Sequence, residues 1–171
     1  GVEEGVPYIV LEFLTGEDLD RKIKRGEDLP VREKIRILAE VCKGLHYAHE
    51  TNIIHRDIKP ANIRIQEDGS VKIMDFGIAK SLHMDSHLTQ TGMTLGTAAF
   101  LAPEQIRGER LDRRTDIFSL GVLMYNLFTF RKPFSGEVIS AIIYSILNKE
   151  PEPIRSLIPD FPRALETVVM R

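Results

Sequence analysis

The chain has 171 residues, 43% of them hydrophobic, which is enough for one hydrophobic core. Its 23 basic and 25 acidic side chains give a net charge of -2, which argues against a nucleic acid or an anionic membrane as the main partner. The single cysteine excludes an internal disulfide, and no apolar run is long enough to span a membrane. These features favour a globular domain in a reducing compartment.

The first 50 residues predict a strand, a linker and a long helix. The apolar run PYIVLEF, residues 7–13, is of strand type, and residues 16–26 have the pattern of a linker with one short helix. A longer helix follows Pro30, and Cys42 within it is expected to be a small buried residue. The apolar stripe expected to face the core consists of Val31, Ile35, Leu38, Cys42, Leu45 and His49.

The middle of the chain predicts a small hairpin with loops beside it. The segments IIHRDIKPANIRI and SVKIMDFG flank a turn at residues 67–69. The polar stretch between Gly77 and Ala102 has neither helical nor strand periodicity and predicts a loop.

The last third of the chain predicts helices. From Asp116 the apolar residues recur at helical spacing until Pro133, which cannot continue a helix. Two amphipathic segments follow, at residues 139–147 and 164–170. The predicted fold class is therefore mainly α, of the α+β type.

Polar residues beside the predicted hairpin form a pattern suited to phosphoryl transfer. The sequence HRDIKPAN at 55–62 is followed by DFG at 75–77. Transfer of the terminal phosphate of ATP requires a carboxylate that orients the attacking hydroxyl, a cation near the moving phosphate and oxygen ligands for Mg²⁺. This set is supplied by Asp57, Lys59, Asn62 and Asp75.

With APE at 102–104, these motifs follow the order of the protein kinase signature set. The whole chain resembles a eukaryotic-type (Hanks-type) serine/threonine protein kinase, and it is similar to the bacterial members in its segments DFGIAK, LTQTGMTLGTAAFLAPEQIRG and RTDIFSLGVLMYNLFTFRKPF. The resemblance implies a large helical lobe with small β-hairpins, ATP and Mg²⁺ as cofactors, and Ser/Thr hydroxyls of proteins as substrates.

The resemblance also implies that the chain is one part of a kinase domain. Residues 1–18 resemble the end of the small lobe and the hinge, and residues 19–171 resemble the large C-terminal lobe, incomplete at its end. The glycine-rich loop and strand lysine of the signature set do not occur, so we expect the isolated chain to be inactive. We also expect a cytoplasmic kinase region whose uncovered hinge face allows self-association.

The resemblance assigns catalytic roles to five residues. Asp57 orients the substrate hydroxyl and takes its proton, while Lys59 lies near the moving phosphate and favours serine/threonine over tyrosine specificity. Asn62 and Asp75 are the implied ligands of Mg²⁺. Thr97 is implied to position the catalytic loop.

The nucleotide contacts implied by the resemblance lie mainly in the hinge. Leu11 would stand at the back of the adenine pocket, Glu12 and Leu14 would offer backbone groups to adenine, and Asp18 would reach the ribose. Arg64 departs from the family, which usually places an apolar residue under the adenine ring, although an arginine stem can still cover the ring.

Other residues are implied to regulate or organise the site. Arg56 would bind a phosphate on the activation loop, carried by Thr89 or Thr91. His55 would pack against Phe76 without transferring protons. Asp116 would hold the backbone of the catalytic loop, although a simple helix cap is the alternative for this aspartate.

Two other classes of function share parts of this pattern. A pseudokinase acting as a binding module would keep the motifs but lack the strand lysine. A small-molecule phosphotransferase would share the HxDxxxxN loop, but the segment GTAAFLAPE at 96–104 is not expected in it. The serine/threonine kinase is favoured because every catalytic residue expected in this portion is present.

Overall fold

The computed structural model of the chain describes residues 1–3, 5–76 and 94–171. Its described helices are α1 Leu19–Lys24, α2 Val31–Glu50, α3 Leu95–Ala98, α4 Pro103–Arg107, α5 Arg113–Thr129, α6 Ile139–Asn148, α7 Ile154–Leu157 and α8 Arg163–Val169, with a 3₁₀ turn at Pro60–Asn62. Its strands are β1 Val2–Glu3, β2 Val6–Pro7, β3 Glu17–Asp18, β4 Ile63–Ile65 and β5 Val71–Ile73. The predicted fold class, mainly helical with small hairpins, is confirmed.

The strands form two small antiparallel sheets. β1 pairs with β2, and β3, β4 and β5 form a second sheet in that order. In the second sheet Asp18 lies opposite Arg64, and Ile63 lies opposite Ile73. The β4–β5 pair is the predicted hairpin around residues 67–69, and β3 adds the residues just before α1 to its edge.

The predicted strand over 7–13 is wrong apart from its first residue. β2 ends at Pro7, and the described segment 8–16 pairs with no strand. Its apolar side chains are exposed, with Ile9 at 83% and Phe13 at 89% relative exposure. An apolar run specifies a strand only when a neighbouring backbone is there to pair with it, and among the described residues this pairing ends at Tyr8, which exchanges hydrogen bonds with Gly1.

Helix α2 forms where it was predicted, but its buried face is rotated from the predicted stripe. The buried side chains include Lys34, Ile37, Val41 and Ala48 together with Leu38 and Leu45. Val31, Ile35 and Cys42 are exposed, so the expectation of a buried cysteine is wrong. Two adjacent stripes both satisfy a helical period, and contacts with β5 and α5 decide which one is buried.

Helix α5 starts before the predicted Asp116. Asp112 is the cap, and its carboxylate accepts a hydrogen bond from the Arg114 backbone N–H at 2.8 Å. The helix ends at Thr129, and the next residue, Phe130, adopts a left-handed conformation ahead of Pro133. Asp116 is therefore free to serve another purpose than capping.

The core lies around α2 and α5. Leu19, Ile37, Ile58 and Leu123 are among its fully buried side chains. The core therefore runs beneath the catalytic loop, through Ile58, and reaches the start of β4 at Ile63. No helix within residues 1–3, 5–76 and 94–171 is both long and apolar enough to cross a bilayer.

Candidate active site

The predicted catalytic residues Asp57, Lys59 and Asn62 come together at one carboxylate. The Lys59 ammonium donates to Asp57 Oδ2 at 2.8 Å, and this ion pair is mostly buried. The Asn62 amide nitrogen donates to the Asp57 carbonyl at 2.8 Å and to Asp57 Oδ2 at 3.1 Å. A lysine and an amide thus fix the orientation of the carboxylate, and the 3₁₀ turn that begins at Pro60 sets the spacing between them.

Asp75 is brought to this cluster by the backbone of Met74. The Met74 N–H donates to the Asn62 carbonyl at 2.8 Å, which extends the β4–β5 ladder by one pair. Asp75 is the next residue, is exposed, and has a left-handed backbone with φ 55°. Aspartate tolerates this conformation better than most residues, so the chain can turn there directly beside Asn62.

His55 connects the catalytic loop to the same Met74. Its Nδ1 accepts the Asp57 N–H at 3.2 Å, so the ring proton must be on Nε2, which donates to the Met74 carbonyl at 2.9 Å. Burial lowers the pKa of His55 below its ordinary value, which keeps the ring neutral in this role. The ring also packs on Phe76, with centroids 4.7 Å apart, as the sequence predicted.

Asp116 holds the loop from below. Its Oδ1 accepts the Arg56 N–H at 2.8 Å, and its Oδ2 accepts the His55 N–H at 2.9 Å and lies 2.7 Å from His49 Nε2. The side chain of Asp116 is fully buried. The interpretation of Asp116 as a support of the loop therefore agrees with the geometry, and the alternative of a helix cap does not.

The segment after residue 94 attaches to the loop through Gln105. The Gln105 side chain accepts the Ala102 N–H and donates to the Arg56 carbonyl, both at 2.9 Å. Ser119 donates to the Phe100 carbonyl and Thr115 donates to the Glu104 carboxylate, at 2.8 and 2.7 Å. Sequence reasoning missed Gln105, Ser119 and Met74 because contacts to backbone groups leave no pattern in the sequence.

Two further predicted residues are Thr97, which was assigned a positioning role, and Arg56, which was assigned a regulatory role. The Thr97 hydroxyl lies 3.3 Å from that of Thr94, the residue that caps α3. Arg56 has φ 66°, and its buried Nε atom has no hydrogen-bond partner among the described residues. Thr89 and Thr91 lie outside the described residues.

The hinge residues lie along one side of the β4–β5 hairpin. Leu11 is exposed, and the Glu12 carboxylate pairs with Lys72 at 3.2 Å. The guanidinium of Arg64 donates to the Thr15 carbonyl at 2.9 Å and, less closely, to the Leu14 carbonyl at 3.4 Å.

Asp18 caps α1. Its carboxylate accepts the Arg21 N–H at 2.9 Å and also pairs with the Arg21 side chain at 3.2 Å. The predicted ribose contact of Asp18 would therefore have to share this carboxylate with the helix cap.

The residues Asn62 and Asp75 suit a hard divalent cation. The amide nitrogen of Asn62 must face Asp57, because the Asp57 carbonyl and carboxylate oxygens can only accept hydrogen bonds, and this turns the amide oxygen away from Asp57. Within the part of the chain that the structure describes, no group of three or more His, Cys, Asp or Glu side chains could hold a metal. Two oxygen ligands fit Mg²⁺, which keeps several waters, better than Zn²⁺.

A cavity of about 430 Å³ lies away from these ligands. His49, Ile53, Asp112 and Arg113 are among the residues that line it, and none of Asp57, Lys59, Asn62 and Asp75 does. The candidate site is therefore defined by its polar side chains and not by this cavity.

Comparison with known proteins agrees with the geometry. Residues 3–165 match the family model described as protein kinase domain. The chain belongs to the protein kinase family. Kinase membership, the likeness to bacterial members and the assignment to the protein kinase enzymes are confirmed.

Three bacterial relatives illustrate the similarity of this kinase chain to known proteins. Serine/threonine-protein kinase PknB of Mycolicibacterium smegmatis is 40% identical over 97% of this chain and 27% of its own length. A probable serine/threonine-protein kinase of Streptomyces coelicolor is 36% identical over 97% of this chain and 25% of its own length. Tyrosine-protein kinase MasK of Myxococcus xanthus is 40% identical over 100% of this chain and 28% of its own length. The kinase chain spans about a quarter of the length of these relatives.

The support of the catalytic loop by Asp116 gives a test. We expect Asp116→Asn to lower the free energy of unfolding by about 1–3 kcal/mol, because one amide oxygen replaces two acceptors and the amide NH₂ meets an N–H donor. Urea unfolding measures the loss, and hydrogen exchange should show faster exchange at the amides of His55 and Arg56. Asp112→Asn, which alters an exposed cap on the same helix, should leave both amides protected. Wild-type exchange in Asp116→Asn would contradict the assigned role.

Proposed function

We propose that this chain is the catalytic region of a protein kinase that transfers the γ-phosphate of ATP to serine or threonine hydroxyls of other proteins. The observation that carries the proposal is the fixed carboxylate of Asp57, to which both Lys59 and the Asn62 amide donate. A carboxylate locked in this way can accept a hydrogen bond from an incoming hydroxyl without first reorganising its surroundings.

Asp57 orients the hydroxyl and takes its proton late in the transfer. Lys59 holds the Asp57 carboxylate in one orientation, so the contribution of Asp57 is mainly geometric. Lys59 also provides positive charge at the place where charge develops on the transferred group. A positioning role for Thr97 remains part of this proposal, supported by the resemblance of GTAAF at 96–100 to the family segment.

Asn62 and Asp75 would hold the divalent metal. When bound, Mg²⁺ offsets the charge of the phosphates. The support for these ligands is their neighbouring position, set by the hydrogen bond from Met74 to Asn62. The protein contributes the two oxygen atoms and leaves the remaining coordination positions to water and phosphate.

The nucleotide base would bind along the hinge. Leu11 would stand at the back of the pocket, and the backbone groups of Glu12 and Leu14 would contact adenine. Asp18 would reach the ribose from its position at the start of α1. Backbone contacts of this kind tolerate changes of side chain, which is consistent with the exposed and varied side chains of the segment.

Serine/threonine specificity is proposed over tyrosine specificity. Two of the three relatives described above are named serine/threonine kinases and one is named a tyrosine kinase, so names alone do not decide. The placement of Lys59, two residues after Asp57 and paired with it, supports serine and threonine by its resemblance to kinases of that specificity.

Replacement of the catalytic carboxylate tests the activity. In the full-length protein, Asp57→Asn should lower phosphate transfer from labelled ATP with Mg²⁺ by roughly 10²–10⁴-fold, because the amide offers one acceptor oxygen in place of two and cannot take the proton. Asp68→Asn, at an exposed turn of the same hairpin, is the matched control and should retain activity. Peptides that differ only in carrying Ser, Thr or Tyr as the acceptor residue measure the specificity for the hydroxyl.

Three outcomes would contradict parts of the proposal. Equal activity of Asp57→Asn and wild type would exclude Asp57 as the catalytic carboxylate. A full-length protein that binds ATP and transfers nothing would favour the binding-module alternative. Preference for the Tyr peptide would exclude only the proposed serine/threonine specificity and not the kinase activity.

Regulation by a phosphate near Arg56 is part of the proposal. The buried Nε of Arg56 lacks a partner among the described residues, and a guanidinium suits a phosphate because it can donate two parallel hydrogen bonds. Thr89 and Thr91 are the proposed carriers, and a phosphate on either would add acceptor oxygens and nearly two negative charges.

Phosphopeptide mapping and a comparison of activities test this regulation. We expect phosphorylated wild-type protein to be more active than phosphatase-treated protein, and Arg56→Gln to remove most of that difference. The doubly substituted Thr89→Ala, Thr91→Ala protein should match the phosphatase-treated wild type. An active preparation with neither threonine phosphorylated would exclude this mechanism.

The exposed hinge face is a proposed site of self-association of this chain. Three apolar side chains of this face are each more than 80% exposed and close in sequence, so a second copy could cover them: Ile9, Val10 and Phe13. We expect concentration-dependent sedimentation of the chain that Phe13→Glu abolishes and that Tyr47→Glu, an exposed site on α2, leaves unchanged. A monomer at all concentrations would contradict self-association.

A cytoplasmic location is also proposed, supported by the single free thiol of Cys42.

A further inference from the structure

The hinge segment, residues 8–16, has little packing to fix its backbone. It forms no regular secondary structure, and most of its large apolar side chains are exposed. A segment with few buried contacts opens easily unless specific bonds hold it. The contacts that attach this segment to the rest of the chain therefore determine how ordered its backbone is.

Arg64 provides the side-chain bonds to the end of this segment. Its Nε donates to the Thr15 carbonyl at 2.9 Å, and its Nη2 lies 3.4 Å from the Leu14 carbonyl. These carbonyls belong to successive peptide groups, and a guanidinium can reach both because its N–H groups are held in a rigid fork. Both bonds therefore restrict the rotation of the same two peptide units.

Gly16 explains why Arg64 can reach these carbonyls. It has φ +74°, and a Cβ atom at this position would lie 2.1 Å from the Ile65 carbonyl oxygen. The hinge backbone therefore lies directly against β4. From there the chain continues into β3, whose Asp18 is the cross-strand neighbour of Arg64.

Arg64 is not placed here as the ion-pair partner of Asp18. The Asp18 carboxylate accepts the Arg21 N–H and pairs with the Arg21 side chain. The other side-chain link to the hinge, between Lys72 and Glu12, joins two exposed side chains and is expected to contribute little. Arg64 is thus the stronger of the two side-chain links described between the hairpin and the hinge.

We propose that Arg64 is a positioning residue of the nucleotide site, which fixes the peptide groups of Leu14 and Thr15 against β4. This inference rests on the proposed function, because it takes residues 12–14 as the segment that contacts the base. Arg64 acts through the hinge backbone, so an apolar side chain at this position would leave the hinge less ordered and the nucleotide more weakly bound.

Chymotrypsin cleavage of this 171-residue chain without nucleotide tests the ordering of the hinge. The exposed side chains at 8, 11 and 13 and the partly exposed one at 14 are suitable cleavage sites, and cleavage reports the population of the opened segment. We expect Arg64→Met to raise the initial rate of cleavage after these residues by about fivefold or more, the factor equivalent to about 1 kcal/mol. Arg64→Lys should lie between Arg64→Met and wild type, because an ammonium lacks the fork.

Lys72→Met is the matched control on the neighbouring strand. It removes the other basic side chain that contacts the hinge, and chymotrypsin should cleave this variant at close to the wild-type rate. If Lys72→Met and Arg64→Met raised the cleavage rate equally, this would indicate a general loosening of the hairpin and would overturn the proposal. Unchanged cleavage in both Arg64 variants would overturn it as well.

Nucleotide affinity provides the second measurement. We expect Arg64→Met to raise the Kd of ATP with Mg²⁺ by about threefold or more, since an unordered hinge must be ordered on binding. An unchanged or lower Kd would overturn the positioning role, and a lower Kd would indicate that Arg64 fits poorly beneath the base. Because cleavage is followed without nucleotide or transfer, it remains informative even if the protein transfers no phosphate.

Discussion

Asp116 buries a negative charge completely, and its carboxylate accepts hydrogen bonds from two successive backbone amides of the catalytic loop. Taking a carboxylate out of water costs several kcal/mol, so it must be offset by donors aimed at it. The donors are the N–H groups of His55 and Arg56, with His49 as a third neighbour. Arg56 has the left-handed backbone that non-glycine residues disfavour, and these bonds stabilise it. The loop therefore adopts its turn because α5 supplies a buried acceptor beneath it.

Two further constraints extend from that loop to the rest of the site. His55 accepts the Asp57 N–H and donates to the Met74 carbonyl, and Met74 in turn donates to Asn62. A neutral ring is required for this chain of bonds, and burial favours that form by lowering the pKa of His55. The backbones of Asp57 and Asn62 and the turn at Asp75 are thus positioned by contacts of His55 and Met74, while Lys59 and the Asn62 amide orient the Asp57 carboxylate.

The sequence predicted which residues lie together at the candidate site better than it predicted the structure around them. Motif spacing identified Asp57, Lys59 and Asn62, which the structure brings together. A motif exists there because the predicted chemistry requires one residue type at each of these positions. Helical periodicity located α2 and α5, but it could not distinguish two adjacent stripes of α2, which differ by about one position. The strand predicted over 7–13 was wrong since strand formation depends on a partner that local composition does not encode. Contacts to backbone carbonyls, such as those of Arg64 and Gln105, accept many side chains and so leave no motif.

Strand β4 connects the hinge to the candidate metal ligands and constrains both. Its preceding residue is Asn62, a candidate metal ligand, and its central residue is Arg64, whose guanidinium reaches the hinge carbonyls. β4 also pairs with β3 on one side and β5 on the other, so a shift of this short strand would displace the hinge, the start of α1 and Asp75 together. Small antiparallel strands are weak alone, and this one is stabilised by burial of its own first residue, Ile63, in the core. The order of the hinge is consequently coupled to the packing of the helical core, with Arg64 as the link between the two.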